Sequence, residues 1–125
     1  MSSSKIGVVL VGHGSRALGF DTAMQKVATA LRREKKYIAV LCGFLEVTPP
    51  SIHEAILACV HHGAGEVRVL PYFVLTGRHV TRDIPRIVGA TSKKYRGQFK
   101  IVLCPYLGFH PKLVAVVKER LLHGR

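Results

Sequence analysis

The chain has no tryptophan, and aromatic residues amount to only 7% of its 125 positions. Neither a recognition helix nor a basic run interleaved with aromatics is visible, so the usual marks of a nucleic-acid reader are missing. Cysteine is scarce too. Cys42, Cys59 and Cys104 are odd in number and lack C-x-x-C spacing, which does not read as a disulfide framework. They fall in expected strands or a helix, where a free cysteine behaves as a small buried hydrophobe. A soft-ligand role for Cys42 and Cys104, near strand ends, is the alternative. No apolar run reaches membrane length. Ile6 to Val11, after Ser2-Ser3-Ser4-Lys5, is too short for a span or a signal segment, so a soluble cytoplasmic protein is expected, with no membrane partner.

Acidic residues are the third shortage. Seven Asp and Glu stand against 19 Lys and Arg, a formal net charge of +12. Such an excess attracts polyanions. Nucleic acid, a small molecule rich in carboxylates, or a plain solvated surface would each account for it. The chain is long enough for one core without disulfides or structural metals, and 48% apolar against 21% charged residues is ordinary globular composition. With no internal repeat or linker, residues 1–125 read as a single domain.

What is present is a four-fold alternation of strand and helix. Lys5 to Val11 is a continuous β-branched run, expected of a strand buried on both faces. Met24, Val27, Ala28 and Leu31 recur at helical spacing from a start near Asp21, and Tyr37 to Phe44 reads as the second strand. Ser51-Ile52-His53-Glu54 is a capping box opening a helix with Ile52, Ile56, Cys59 and Val60 on its buried side; Gly63 ends it. Glu66 to Tyr72 is a third strand, followed by a loop from Phe73 to Arg82. Asp83 is a candidate N-cap, with Pro85 in the first turn of a helix bearing Ile84, Ile87 and Val88. Phe99 to Cys104 is the fourth strand. His110-Pro111 opens a last helix expected to turn Leu113, Val114, Val117 and Leu121 inward. This pattern predicts an α/β fold, a three-layer domain with a four-stranded parallel sheet in the flavodoxin-like order 2-1-3-4. In that order, ligands bind where the winding reverses, outside the strand ends.

Two histidines border that crevice. His13 lies in Val11-Gly12-His13-Gly14-Ser15-Arg16 after the first strand, and His79 in Leu75-Thr76-Gly77-Arg78-His79 after the third. Imidazole is the commonest metal ligand among side chains, so the pair suggests metal handling, with ordinary loop residues as the alternative. The other histidines have structural explanations: His61 and His62 at a helix C-terminus, His53 in an exposed first turn, His110 as a cap, His123 in the tail. Gly12-His13-Gly14-Ser15-Arg16-Ala17 formally matches a dinucleotide fingerprint, but no acidic residue closes the second strand at the required distance. Ser15 beside His13 lacks the G-x-S-x-G elbow of a nucleophile and suits a turn or cap. Glu46, just past the second strand, could pair with an arginine or accept protons near the imidazoles. Arg16, Arg78 and Arg82 are candidate carboxylate grips, since a guanidinium offers a bidentate fork; for Arg86 a solvated face is the better reading.

Taken in order, Val11-Gly12-His13-Gly14-Ser15-Arg16, Gly43-Phe44-Leu45-Glu46, Pro50-Ser51-Ile52, Leu70-Pro71-Tyr72-Phe73, Gly77-Arg78-His79-Val80 and Asp83-Ile84-Pro85 resemble the small CbiX-type sirohydrochlorin chelatases. The resemblance covers roughly two thirds of the chain, and the C-terminal third is generic. It implies insertion of a divalent metal, usually cobalt, into sirohydrochlorin during cobalamin or related tetrapyrrole biosynthesis. Relatives insert iron or nickel. It further implies His13 and His79 as metal ligands and catalytic residues, with Glu46 a candidate base. Ser15, Arg16, Arg78 and Arg82 become candidate substrate contacts. The metal is then a substrate, and no permanent cofactor is expected. Longer chelatases hold two such lobes around a cleft, so the resemblance implies a homodimer sharing one site. The chemistry agrees: nitrogen ligands suit divalent cobalt, nickel and iron, and delivery needs an incomplete coordination sphere. Because imidazole binds metal only when deprotonated, activity is expected to fall on acidification. The rivals are a non-catalytic tetrapyrrole or metal carrier, and a basic nucleic-acid-binding module.

Overall fold

The computed structural model describes residues 5–124; the serines at positions 2–4 and the ends of the expected domain lie outside it. Four strands, β1 (Ile6–Gly12), β2 (Ala39–Phe44), β3 (Glu66–Pro71) and β4 (Lys100–Leu103), form one parallel sheet in the order β2-β1-β3-β4. This is the expected order. Residues alternate between faces along each strand. Val9 and Val11 of β1 join Val67 and Val69 of β3 in one cluster with Ile52, Ile56 and Cys59 of α2 (Ile52–His61) and Ile84 and Val88 of α3 (Ile84–Lys94). Val8 and Leu10 face the other way. They pack with Val40, Cys42 and Phe44 of β2 against Met24 and Ala28 of α1 (Thr22–Arg33). A fully buried valine or isoleucine contributes about 1.5–3 kcal/mol, so these two clusters carry most of the stability.

The capping box forms as expected. Ser51 Oγ accepts the Glu54 N–H at 3.1 Å, while Glu54 Oε1 accepts the Ser51 N–H at 2.8 Å. Four expectations are corrected. The stretch after β3 is not loop as far as Arg82, because His79–Asp83 forms a π-helical turn leading into α3. Asp83 therefore sits inside the helical segment and its side chain does not cap it. His53 is half-buried, with Nδ1 3.2 Å from Thr91 Oγ1.

The fourth correction concerns α4 (Pro111–Leu122). His110 does cap it, Nδ1 accepting the Lys112 N–H at 3.1 Å. Its apolar side, however, is not turned inward. None of its residues is buried, and it packs extensively on no other element. Val117 is 55% and Leu121 74% exposed. The sheet face on the α1 side is correspondingly bare beyond β1: Arg68 is exposed, and a cleft of about 240 Å³ opens between Leu31, Tyr37, Leu70 and Cys104. Among the described residues, no helix is long and apolar enough to cross a membrane.

Candidate functional site

The loops after β1, β2 and β3 meet at the C-terminal edge of the sheet, and main-chain pairing past the strand ends draws them together. The Leu45 N–H donates to the Gly12 carbonyl and the Glu46 N–H to the His13 carbonyl, both at 3.1 Å, while the Tyr72 N–H donates to the Val11 carbonyl at 2.8 Å. The β1 loop is thus zipped to its neighbours on both sides just where His13 leaves the sheet. Thr48 tightens the join. Its hydroxyl accepts the Ser15 N–H at 3.0 Å and donates to the Ser15 carbonyl at 2.9 Å.

Gly14 makes this approach sterically feasible. Its φ is +108°, and a Cβ there would stand 1.8 Å from the Glu46 carbonyl oxygen. Gly14→Ala should lose about 1–3 kcal/mol from backbone conformation alone, plus the displacement of Glu46 from His13. Denaturant unfolding checks the first part; unchanged backbone amide NMR shifts at His13 and Glu46 would contradict the second.

The two histidines converge. The ring centroids of His13 and His79 are 4.5 Å apart with planes tilted by 39°. His13 Nε2 lies 3.5 Å from Glu46 Oε2, an electrostatic contact longer than a good hydrogen bond. On the other ring, His79 Nδ1 lies 3.0 Å from Asp83 Oδ2. The side chains of His13 and His79 are 49% and 44% exposed, so solvent and ligand reach both. A hollow of about 350 Å³ adjoins His13, bounded by Ser15, Phe20, Asp21, Met24 and Tyr72.

Sequence reasoning missed Asp83, which it had assigned to helix capping. Burial opposes its ionisation, but hydrogen bonds from Arg82 and His79 outweigh that and hold the carboxyl below its ordinary range. The i,i+4 spacing from His79 was the available signal. It also missed Thr48 and Phe20, for which no local motif speaks, and gave Tyr72 no role beyond its place in the Leu70-Pro71-Tyr72-Phe73 stretch. Of the remaining candidates, Arg16 and Arg78 are exposed on the two histidine loops. Arg82 Nε donates to Asp83 Oδ1 at 3.3 Å, its side chain remaining largely exposed. The Ser15 hydroxyl accepts the Ala17 N–H at 3.0 Å, a turn role that leaves its own proton free. Among the described residues, no group of three or more histidine, cysteine or carboxylate side chains is arranged to enclose a metal ion. Chemically, the edge offers two nitrogen donors and an oxygen acceptor, open on one side and set in a strongly basic chain.

Comparisons with known proteins bear on this site. The chain is 32% identical over 117 residues to the chloroplastic sirohydrochlorin ferrochelatase of Arabidopsis thaliana, covering 94% of this chain and 52% of that protein. It is 34% identical over 115 residues to the sirohydrochlorin cobaltochelatase of Sulfolobus acidocaldarius, covering 92% and 89%. Among solved structures, the sirohydrochlorin chelatase SirB from Bacillus subtilis subspecies spizizenii, in complex with cobalt, superposes with a TM-score of 0.85 at 26% identity; the match covers 95% of this chain and 50% of that one. The chain therefore spans about half the length of the plant and Bacillus relatives, and nearly all of the archaeal one. The CbiX family model matches residues 7–123, and the chain belongs to the CbiX family.

Proposed function

We propose that this protein inserts a divalent metal, cobalt, into sirohydrochlorin, with the metal as a substrate and no permanent cofactor. The observation that carries the reading is the approach of the His13 and His79 rings to 4.5 Å at the open edge of the sheet. Two imidazoles hold borderline divalent cobalt while leaving most of its coordination sphere exchangeable, which transfer requires. Arg16, Arg78 and Arg82 surround that edge with positive charge, a counterpart to the eight carboxylates of sirohydrochlorin. Ser15 has a hydroxyl proton to offer the same groups.

Insertion exchanges metal–water bonds for bonds to four pyrrole nitrogens and releases two pyrrole protons. Glu46 takes up the first of these, being solvent-accessible and next to His13 Nε2. His13 can carry the second once its hold on the metal is released. The protein supplies position, charge and proton acceptors; the net reaction needs no oxidant or reductant.

Two copies build the working unit. One copy leaves its site open on one side, where the His13 and His79 rings are about half exposed. Its α4 also leaves Val114, Val117 and Leu121 uncovered, beside Val74, Leu75 and Phe109 of the adjoining loops. An exposed apolar surface of this kind marks an interface. A second copy, contributing its own α4 and its own pair of histidines, satisfies both deficits. A cytoplasmic location goes with this reading.

The test is anaerobic single-turnover spectroscopy of sirohydrochlorin with Co(II), with and without protein. Metallation faster than the spontaneous reaction is expected; equal rates would reduce the protein to a carrier. Fe(II) in a parallel arm decides the metal, since the Arabidopsis relative is named for iron.

A further inference from the structure

The two imidazoles are held differently. His13 meets Glu46 through Nε2. His79 meets Asp83 through Nδ1. The Asp83 side chain is only 17% exposed, and its two oxygens divide their partners. Oδ1 faces the guanidinium groups of Arg82 at 3.3 Å and Arg86 at 3.7 Å, while Oδ2 is left to His79 at 3.0 Å. An ionised carboxylate only accepts hydrogen bonds, so the ring nitrogen facing it must be the donor. That puts the proton of neutral His79 on Nδ1 and the lone pair on Nε2. The π-helical turn contributes as well: His79 is its first residue and Asp83 its last, so both ends of the contact sit on one short helical segment running into α3. Such π turns are frequent at functional sites.

We infer that Asp83 is a positioning residue that locks His79 with Nε2 toward the metal, making His79 the fixed ligand and His13 the exchangeable one. The inference rests on the reading of His79 as a metal ligand, but the lock itself does not require metal. A carboxylate behind a histidine fixes its tautomer and ring orientation and strengthens it as a donor. His13 has a carboxylate on Nε2 instead. It must turn away from Glu46 or bind through Nδ1, either of which makes it the ring that lets go.

The experiment uses the full chain. Nitrogen-15 NMR of the histidine rings, without metal, reads the His79 tautomer; Co(II) titration followed by its visible absorption reads affinity. In the native protein His79 is expected mainly as the Nδ1–H form. Asp83→Ala should mix the tautomers and weaken Co(II) binding about 10- to 100-fold. Asp83→Asn leaves its one carbonyl oxygen to the Arg82 and Arg86 donors and turns its NH2 toward Nδ1, so it should move the His79 proton to Nε2 and weaken Co(II) binding while keeping the side-chain volume. An unchanged tautomer in Asp83→Ala overturns the inference, as does native Co(II) affinity in an Asp83→Asn protein whose His79 proton has moved to Nε2. His79→Ala separates the two levels: unaltered Co(II) affinity there removes the ligand reading, whereas a lost site beside a normal Asp83→Ala affinity removes only the role of Asp83.

Discussion

Replacing both His13 and His79 by alanine should reduce cobalt insertion to its spontaneous rate. Each single replacement should cost more than the roughly 10- to 100-fold typical of losing a group behind a metal ligand. Both rings are about half exposed and stand beyond the strand ends, outside the two apolar clusters. Substitutions at such positions usually change stability by no more than about 0.5 kcal/mol. The variants should therefore unfold with the native protein while losing the reaction, and that separation is the informative part of the result. The singles should not multiply into the double, because two ligands of one ion act as a unit. Glu46→Gln tests a different step. It leaves both nitrogens in place, so Co(II) should still bind while insertion slows. A double histidine variant that metallates sirohydrochlorin at the native rate would dissociate the site from the chemistry.

What the sequence could disclose follows from what each signal encodes. The β-branched run of β1 and the capping box at Ser51 are local, and both elements formed where expected. Order 2-1-3-4 is one of the few that alternating elements and right-handed crossovers allow, and it brings the ends of β1 and β3 together without any knowledge of side chains. Convergence of His13 and His79 was legible for that reason. The place of Glu46 was less so. It depends on the Leu45 and Glu46 N–H groups pairing with the β1 loop, and main-chain pairing beyond a strand leaves no mark in residue type. Asp83 misled because an acid shortly before a proline is a common helix start. Here the chain already winds helically from His79, one turn earlier, and the carboxylate is free to serve the imidazole. The stripe on α4 was read correctly as a stripe, but periodicity says only that one side of a helix is apolar. It does not name the surface that covers it.

Aspartate placed at Val117 and Leu121 should leave the chain folded but break it into single copies. In one copy these side chains already face water, so a carboxylate there costs the fold little. Against a partner the same groups must be desolvated. An unpaired buried carboxylate shifts toward its neutral form instead of staying charged, and the buried polar group still costs on the order of 2–3 kcal/mol. A two-fold assembly counts every substitution twice, because each interface patch occurs on both subunits. Two such positions in two copies give four buried carboxyl groups; even at half the full cost for each, the dissociation constant rises about a thousandfold or more, with every 1.4 kcal/mol a factor of ten. Sedimentation or light scattering reads the mass directly. Chelation then adds the functional half: the variant rate should collapse at low protein concentration and recover partly as protein is added, because a site shared between copies reassembles by mass action. A Val117→Asp, Leu121→Asp chain with native mass and native rate at every concentration would move the interface away from α4.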